Sequence, residues 1–184
     1  MRKQLALAAM LAVVFTTFAA AQMGGGKPSP AASATCDLGN GKTIKTDYSS
    51  PRMKGRKIYG DLVPFGEVWR TGANEATTFV PSTDVMVGGK TVPAGSYTIF
   101  TVPTAGKWTL IVNKKTGEWG IPYKYESDEL IRVDMAVTRI DPPVENLVIE
   151  YDKMGPEDCT LRIDWETTRA SVHITRGDRS EGMD

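Results

Sequence analysis

The 184-residue chain has one histidine and only two cysteines. A zinc site built on histidines would lack ligands, and a serine triad would have a single base to draw on. That histidine, His173, sits in "ASVHIT" on the face opposite Val172 and Ile174, so it reads as an exposed strand residue. No G-x-S-x-G elbow occurs. No metal site and no cofactor are expected. Charge of either sign is not in surplus: 22 basic residues stand against 22 acidic ones. Without a basic stripe, a nucleic-acid partner is not expected. Helical periodicity is also missing, apart from one turn around "ESDEL", and there is no internal repeat.

Only one long apolar run is present, and it lies at the N-terminus. "MRKQLALAAMLAVVFTTFAAAQ" opens with Arg2 and Lys3, continues apolar from about Leu5 to Phe18, and ends in Ala19, Ala20 and Ala21. That is the order of a secretory signal peptide, with cleavage expected after Ala21. A membrane anchor fits less well, because the run is short for a bilayer core of ~30 Å and ends in small residues. Cys36 follows "ASAT" and lacks the context that lipidation needs. A secreted or periplasmic protein is therefore expected, with no transmembrane anchor after cleavage. Without Arg2 and Lys3 the mature chain keeps 20 basic and 22 acidic residues.

Export places Cys36 and Cys159 where disulfides persist. A bond between them is expected to contribute roughly 3–5 kcal/mol on the chain-entropy estimate. Residues 22–35, "QMGGGKPSPAASAT", read as a flexible linker with nothing to bury. Residues 177–184 read as a polar tail, and the "RGD" that begins at Arg176 carries no adhesion signal at a frayed end. A single domain is expected over residues 36–176.

Within that domain the pattern is β. In "LIRVDMAVTRI", Ile131, Val133, Met135 and Val137 share one face. In "CTLRIDWET", Cys159, Leu161, Ile163 and Trp165 face in, while Thr160, Arg162, Asp164 and Glu166 face out. Period-two alternation with one apolar face marks half-buried antiparallel strands. "SYTIFTV", "KWTLIVN", "ENLVIEY", "GKTIKTDYS" and "ATTFVP" add β-branched and aromatic segments. Gly88 with Gly89, "VPTAGKW" and "NKKTGEW" supply turns, and Pro142 with Pro143 breaks the chain before Leu147. The expected fold is an all-β, jelly-roll-like antiparallel β-sandwich with little or no helix.

Two stretches imitate a phosphate-binding loop. "CDLGNGKT" and "DVMVGGKT" end correctly, but Cys36 and Asp84 stand where the loop needs glycine. Both read as turns. The polar residues of interest fall between Arg52 and Glu75. Asp61, Glu67 and Glu75 share one irregular segment, and two carboxyls roughly 5–10 Å apart are what glycoside hydrolysis uses. The same acids are equally placed to pair with Arg52, Arg56, Lys57 and Arg70 and fix the loop's shape. Trp69 is either a platform for a ring or a core residue. Arg70 offers a fork for a carboxylate or phosphate, and Asn74 and Glu75 both hydrogen-bond.

"YSSPRMKGRKIYGDLVPFGEVWRTGANEATTF", followed by "VPAGSYTIFTVP", resembles the bacterial domain-of-unknown-function family 2911. The resemblance runs from about Tyr48 to Trp165. It implies an exported all-β domain and no established activity, and it supplies no catalytic residues. The leading expectation is a ligand- or partner-binding domain without catalytic residues. Its candidate surface is Arg52, Arg56, Asp61, Arg70, Asn74 and Glu75, and its partner a small molecule, glycan or envelope protein. The alternatives are a carboxylate-dependent hydrolase of envelope saccharides and a purely structural envelope protein.

Overall fold

The structure is a computed structural model, and it describes residues 29–177. The expected signal peptide, half of the linker and the tail beyond Gly177 lie outside the described residues. Nine strands run in chain order: β1 (Ala31–Asp37), β2 (Thr43–Ser49), β3 (Thr78–Pro81), β4 (Val85–Val87), β5 (Lys90–Val92), β6 (Tyr97–Val102), β7 (Trp108–Asn113), β8 (Glu129–Lys153) and β9 (Asp158–Arg176). All pairings are antiparallel, and the sheet order is β1-β2-β3-β6-β7-β8-β9-β4-β5. The all-β antiparallel class expected from the alternation is what the chain adopts. Its ladder is continuous through all nine strands. The only helical element among the described residues is a single 3-10 turn, Glu126–Asp128, within the "ESDEL" stretch.

Both false phosphate loops are hairpin turns. Gly39, Asn40 and Gly41 reverse the chain between β1 and β2, and Gly88 and Gly89, both at positive φ, reverse it between β4 and β5. Pro142 and Pro143 do not end a strand. They fall inside β8, where its register against β9 shifts between Arg139 and Val144. Proline has no N–H for the ladder, so the strand bulges past them and resumes pairing beyond. β1 starts at Ala31, inside the stretch expected as linker. Its small residues need no core of their own because they pair through backbone with β2.

The far end of the sheet folds back on its middle. Past β2, Leu147 donates its N–H to the Pro51 carbonyl at 2.9 Å, and Met53 donates to Glu145 at 2.8 Å. The Ser50 hydroxyl donates to the Leu147 carbonyl, and the Tyr48 hydroxyl accepts from the Ile149 N–H. A Cys36–Cys159 disulfide ties β1 to β9 across a Cα separation of 6.5 Å. Inside lie Leu38, Ile44, Leu110, Leu147, Leu161 and Ile163, all essentially without solvent contact. The inward residues expected on β9 are buried, as are Val133 and Met135 of β8.

β6 and β7 are covered on both faces. Ile99, Leu110 and Val112 enter the main core, while Phe100 and Ile111 enter a smaller cluster with Ala76, Tyr123 and Tyr125. Residues 114–125 form the loop that lies over this second face, which is why "TIF" and "LIV" are continuously apolar. Asp164 departs from the alternation. Expected to face out, it is only 3% exposed, because Arg169 grips it through two guanidinium N–H groups at 2.8 and 2.6 Å while Arg162 donates to the same carboxylate. A carboxylate so bridged stays on the outer face of the sheet yet loses its solvent.

Candidate functional site

Residues 50–77, between β2 and β3, build most of the site. Ile58, Tyr59 and Val63 are buried, and they pin this segment to the core. Between them Val63 donates to the Ile58 carbonyl and Gly60 to the Val63 carbonyl, both at 2.9 Å. Gly60 has φ +83, and a Cβ there would stand 2.8 Å from the Phe65 ring, so only glycine fits this bend. Asp61 sits at its exposed tip.

Upstream, Arg56 donates its N–H to the Met53 carbonyl across Lys54 and Gly55, both at positive φ. That is a tight turn of the hairpin type. It rests on β8: Lys54 donates its N–H to the Glu145 carboxylate at 2.9 Å. Arg56 spends its guanidinium on the carbonyls of Met53 and Arg52, at 2.9 and 2.7 Å. The turn therefore displays Arg52, Lys54 and Arg56 together on a fixed backbone.

Downstream lies the stretch "WRTGANEATTF". Trp69 exchanges backbone hydrogen bonds with Thr101 at 2.8 and 2.9 Å, adding a bridge to the edge of β6. Its ring stacks on Trp165 at 6.0 Å and meets Tyr59 and Trp108 edge-on. Its indole N–H donates to the Gly72 carbonyl. The loop beyond is locked by its own polar side chains. The Thr71 and Thr101 hydroxyls bond each other, and the Thr77 hydroxyl donates to the Thr71 carbonyl at 2.7 Å. Asn74, buried at φ +57, donates its amide to the Ser49 hydroxyl and the Ser29 carbonyl.

These segments enclose a cleft of about 1290 Å³ with the loop of residues 114–125 on its far side. Trp69 forms part of its floor, with the buried Trp165 ring stacked behind it, and Val63, Val68, Ile121 and Pro122 are among its apolar walls. Arg52, Lys54, Arg56 and Arg70 reach it, as do the carboxylates of Glu67 and Glu126. Arg70 lies over the exposed Trp119 ring at 4.9 Å and donates to its carbonyl at 3.3 Å, so it staples the two sides together. Burial lowers its guanidinium from the ordinary arginine value, and the charge of Glu75 opposes that shift. Trp119 is not a core residue: it is 52% exposed, and Arg70 is the side chain it stacks with.

Tyr123 closes one wall. Its hydroxyl donates to Glu129 at 2.7 Å, and Arg132 grips the same carboxylate through two N–H groups. Burial and that bond to Glu129 raise the phenol well above the usual tyrosine range. Arg132 holds the Glu129 carboxyl below its ordinary value, and Tyr123 adds to this.

Of the residues singled out on sequence, Arg52, Arg56 and Arg70 share the cleft. Asp61 does not line it. Glu75 lines a separate, smaller depression beside β1 and β2, and Asn74 is buried behind the loop. Among the three acids considered for hydrolysis, only Glu67 faces the cleft. Lys54, Ile121, Tyr123 and Glu126 were missed. The first is recognisable only as part of a Lys-Gly turn, and the others lie far along the chain on the facing loop. No group of three or more potential metal-ligating side chains occurs among the described residues.

Residues 29–174 match the profile of a protein family described as protein of unknown function, DUF2911. The chain belongs to this family. The match takes in β1 to β8, all but the last two residues of β9 and both sides of the cleft, so the site described above lies within the family domain. No curated protein and no solved structure matches the chain.

Proposed function

We propose that this protein is a ligand-binding domain of the cell envelope or periplasm and that the cleft is its binding site. One observation carries this reading. Arg52, Lys54 and Arg56 converge on an apolar, tryptophan-floored cleft, and none of them forms an ion pair among the described residues. Concave apolar surface with a few convergent polar groups is the usual make-up of a small-molecule site. The signal-like N-terminus and the Cys36–Cys159 bond support an exported protein, because disulfides persist in oxidising compartments.

The hydrolase reading needs two working carboxylates in one cleft. Glu67 is the only one of its three candidates there, so binding is the better supported function. A purely structural role fits Asn74, whose amide is spent on the fold, and does not account for the cations around the cleft. Thermal-shift screening against glycans, cell-wall fragments and small organic anions tests the proposal. A binder should raise the melting temperature of the native chain, and Arg52→Ala should abolish the shift while Asp61→Ala leaves it intact. Failure of every ligand class, or a shift indifferent to Arg52→Ala, would refute it.

A further inference from the structure

We infer that the cleft takes an amphiphilic anion: a carboxylate or phosphate head on an elongated apolar body. This rests on the binding reading above and names its ligand class. The electrostatic half comes from a contrast within the molecule. Arg132, Arg162, Arg169 and Arg176 are each held by a carboxylate of the protein itself. Arg52, Lys54 and Arg56 are not, although Glu67 and Glu126 line the same cleft. Four cations against two acids leave the site positive. Arg70 is already partly desolvated there, and an incoming anion relieves that cost. Arginine forks suit the planar or tetrahedral oxygens of an acid head group.

The apolar half comes from the walls and lips. Five large apolar side chains are conspicuously exposed among the described residues, and four of them stand on the two loops that border this cleft. Leu62 (44%) and Phe65 (46%) stand on one loop, Trp119 (52%) and Ile121 (43%) on the other. Leu62 and Ile121 line the cleft directly. Inorganic phosphate would use the cations and leave these surfaces wet. A neutral apolar molecule would cover the surfaces and leave the cations unpaired. The volume of about 1290 Å³ exceeds the ~300–1,000 Å³ usual for small-molecule pockets, which suits an elongated body.

Four probes separate the two halves: octyl phosphate below its micelle-forming concentration, inorganic phosphate, octyl glucoside, and phosphatidylglycerol vesicles in a phosphatidylcholine background. Binding is followed by tryptophan fluorescence, since Trp69 lines the cleft and stacks on Trp165, and by calorimetry. Octyl phosphate is expected to bind at least about tenfold more tightly than either inorganic phosphate or octyl glucoside, the size of one lost interaction of ~1.4 kcal/mol. Arg52→Ala and Ile121→Ser should each weaken it by about the same factor. Both side chains are exposed, and Lys54→Gln and Leu62→Ser serve as second variants should either fail to fold. Co-sedimentation with the anionic vesicles, competed by octyl phosphate, would identify a lipid-borne head group. Octyl phosphate binding without co-sedimentation would identify a free amphiphile.

Equal binding of octyl glucoside would overturn the inference and leave a neutral-ligand site standing. Equal binding of inorganic phosphate would overturn the apolar half. No binding by any probe would overturn the ligand class, while the glycan and cell-wall panel would still decide whether the cleft binds anything.

Discussion

The Cys36–Cys159 bond should dominate the stability of this domain. It joins residues separated by 123 positions, so the loop it closes takes in most of the described chain. On the chain-entropy estimate a loop of that length restricts the unfolded ensemble by about 5 kcal/mol at 25 °C. A domain of this size has roughly 5–15 kcal/mol in all, so the loss would leave it marginal or unfolded. Urea unfolding should be measured on the oxidised chain, the reduced chain, and a Cys36→Ala, Cys159→Ala double variant. With a urea slope of roughly 2 kcal/mol per molar, the reduced chain should unfold about 2.5 M earlier. Its slope should rise as well, because the released unfolded chain exposes more surface. Both sulfurs are buried, so the double variant should lose about 1 kcal/mol more from the space it vacates. A reduced chain that lost less than about 2 kcal/mol would refute the reasoning, since loop closure would then not be the main contribution.

Two further outcomes test the site's supports. Asn74→Ala should destabilise by about 2–3 kcal/mol, losing one buried and one partly buried hydrogen bond and placing alanine at φ +57, whereas Asn74→Gly should cost less because glycine accepts that backbone. Equal losses in thermal melts would show that the backbone conformation contributes nothing. Glu129 gives a pH signature. Its carboxyl is held below its unfolded value by Arg132 and Tyr123, so its stabilisation is complete above the unfolded value of about 4.3 and is lost as pH falls through the folded one. The stability gap between the native chain and Glu129→Gln should therefore be widest near neutrality and close on acidification. A gap that stayed constant in urea titrations from neutral to acidic pH would contradict this.

Alternation identified the inward residues of β8 and β9 because a half-buried strand repeats every two residues, and nothing local disturbs that repeat. It misplaced Asp164 because solvent was excluded by Arg169, a neighbour across a bend in the same strand. It also gave no warning of β1, whose Ala and Ser residues pair by backbone alone. The cleft was half legible. Arg52, Arg56 and Arg70 stood out as unusual polar residues in a dense segment. Ile121, Tyr123 and Glu126 did not, because their relevance depends on the loop of residues 114–125 lying against Arg70. That contact is long-range: Gly120, at φ +90, approaches Ala76 so closely that a Cβ would lie 2.9 Å from it. Asn74 and Glu75 illustrate the opposite error. Proximity in sequence to Arg70 suggested a shared surface, yet neither residue lines the cleft: the loop, with positive φ at Thr71 and Asn74, buries Asn74 and sets Glu75 at a smaller depression, close enough for its charge to act on Arg70.

The two readings of Trp69 were alternatives only while it was a letter in a sequence. In the fold it is half-buried: one part of the ring belongs to the Tyr59–Trp108–Trp165 cluster, and another part lines the cleft. The floor of the site is therefore the wall of the core, as rigid as the packing behind it. The rim is built differently. Arg52 and Lys54 hang from a turn held by backbone and carbonyl contacts, to which Arg56 adds its guanidinium bonds to the Met53 and Arg52 carbonyls, and none of the three forms an ion pair among the described residues. Substitutions at Arg52 and Lys54 should consequently alter affinity and leave stability nearly untouched, whereas substitutions at Trp69 must change both. Rim variants that unfolded the domain would mean the cations are structural after all, and the case for a binding site would go with them.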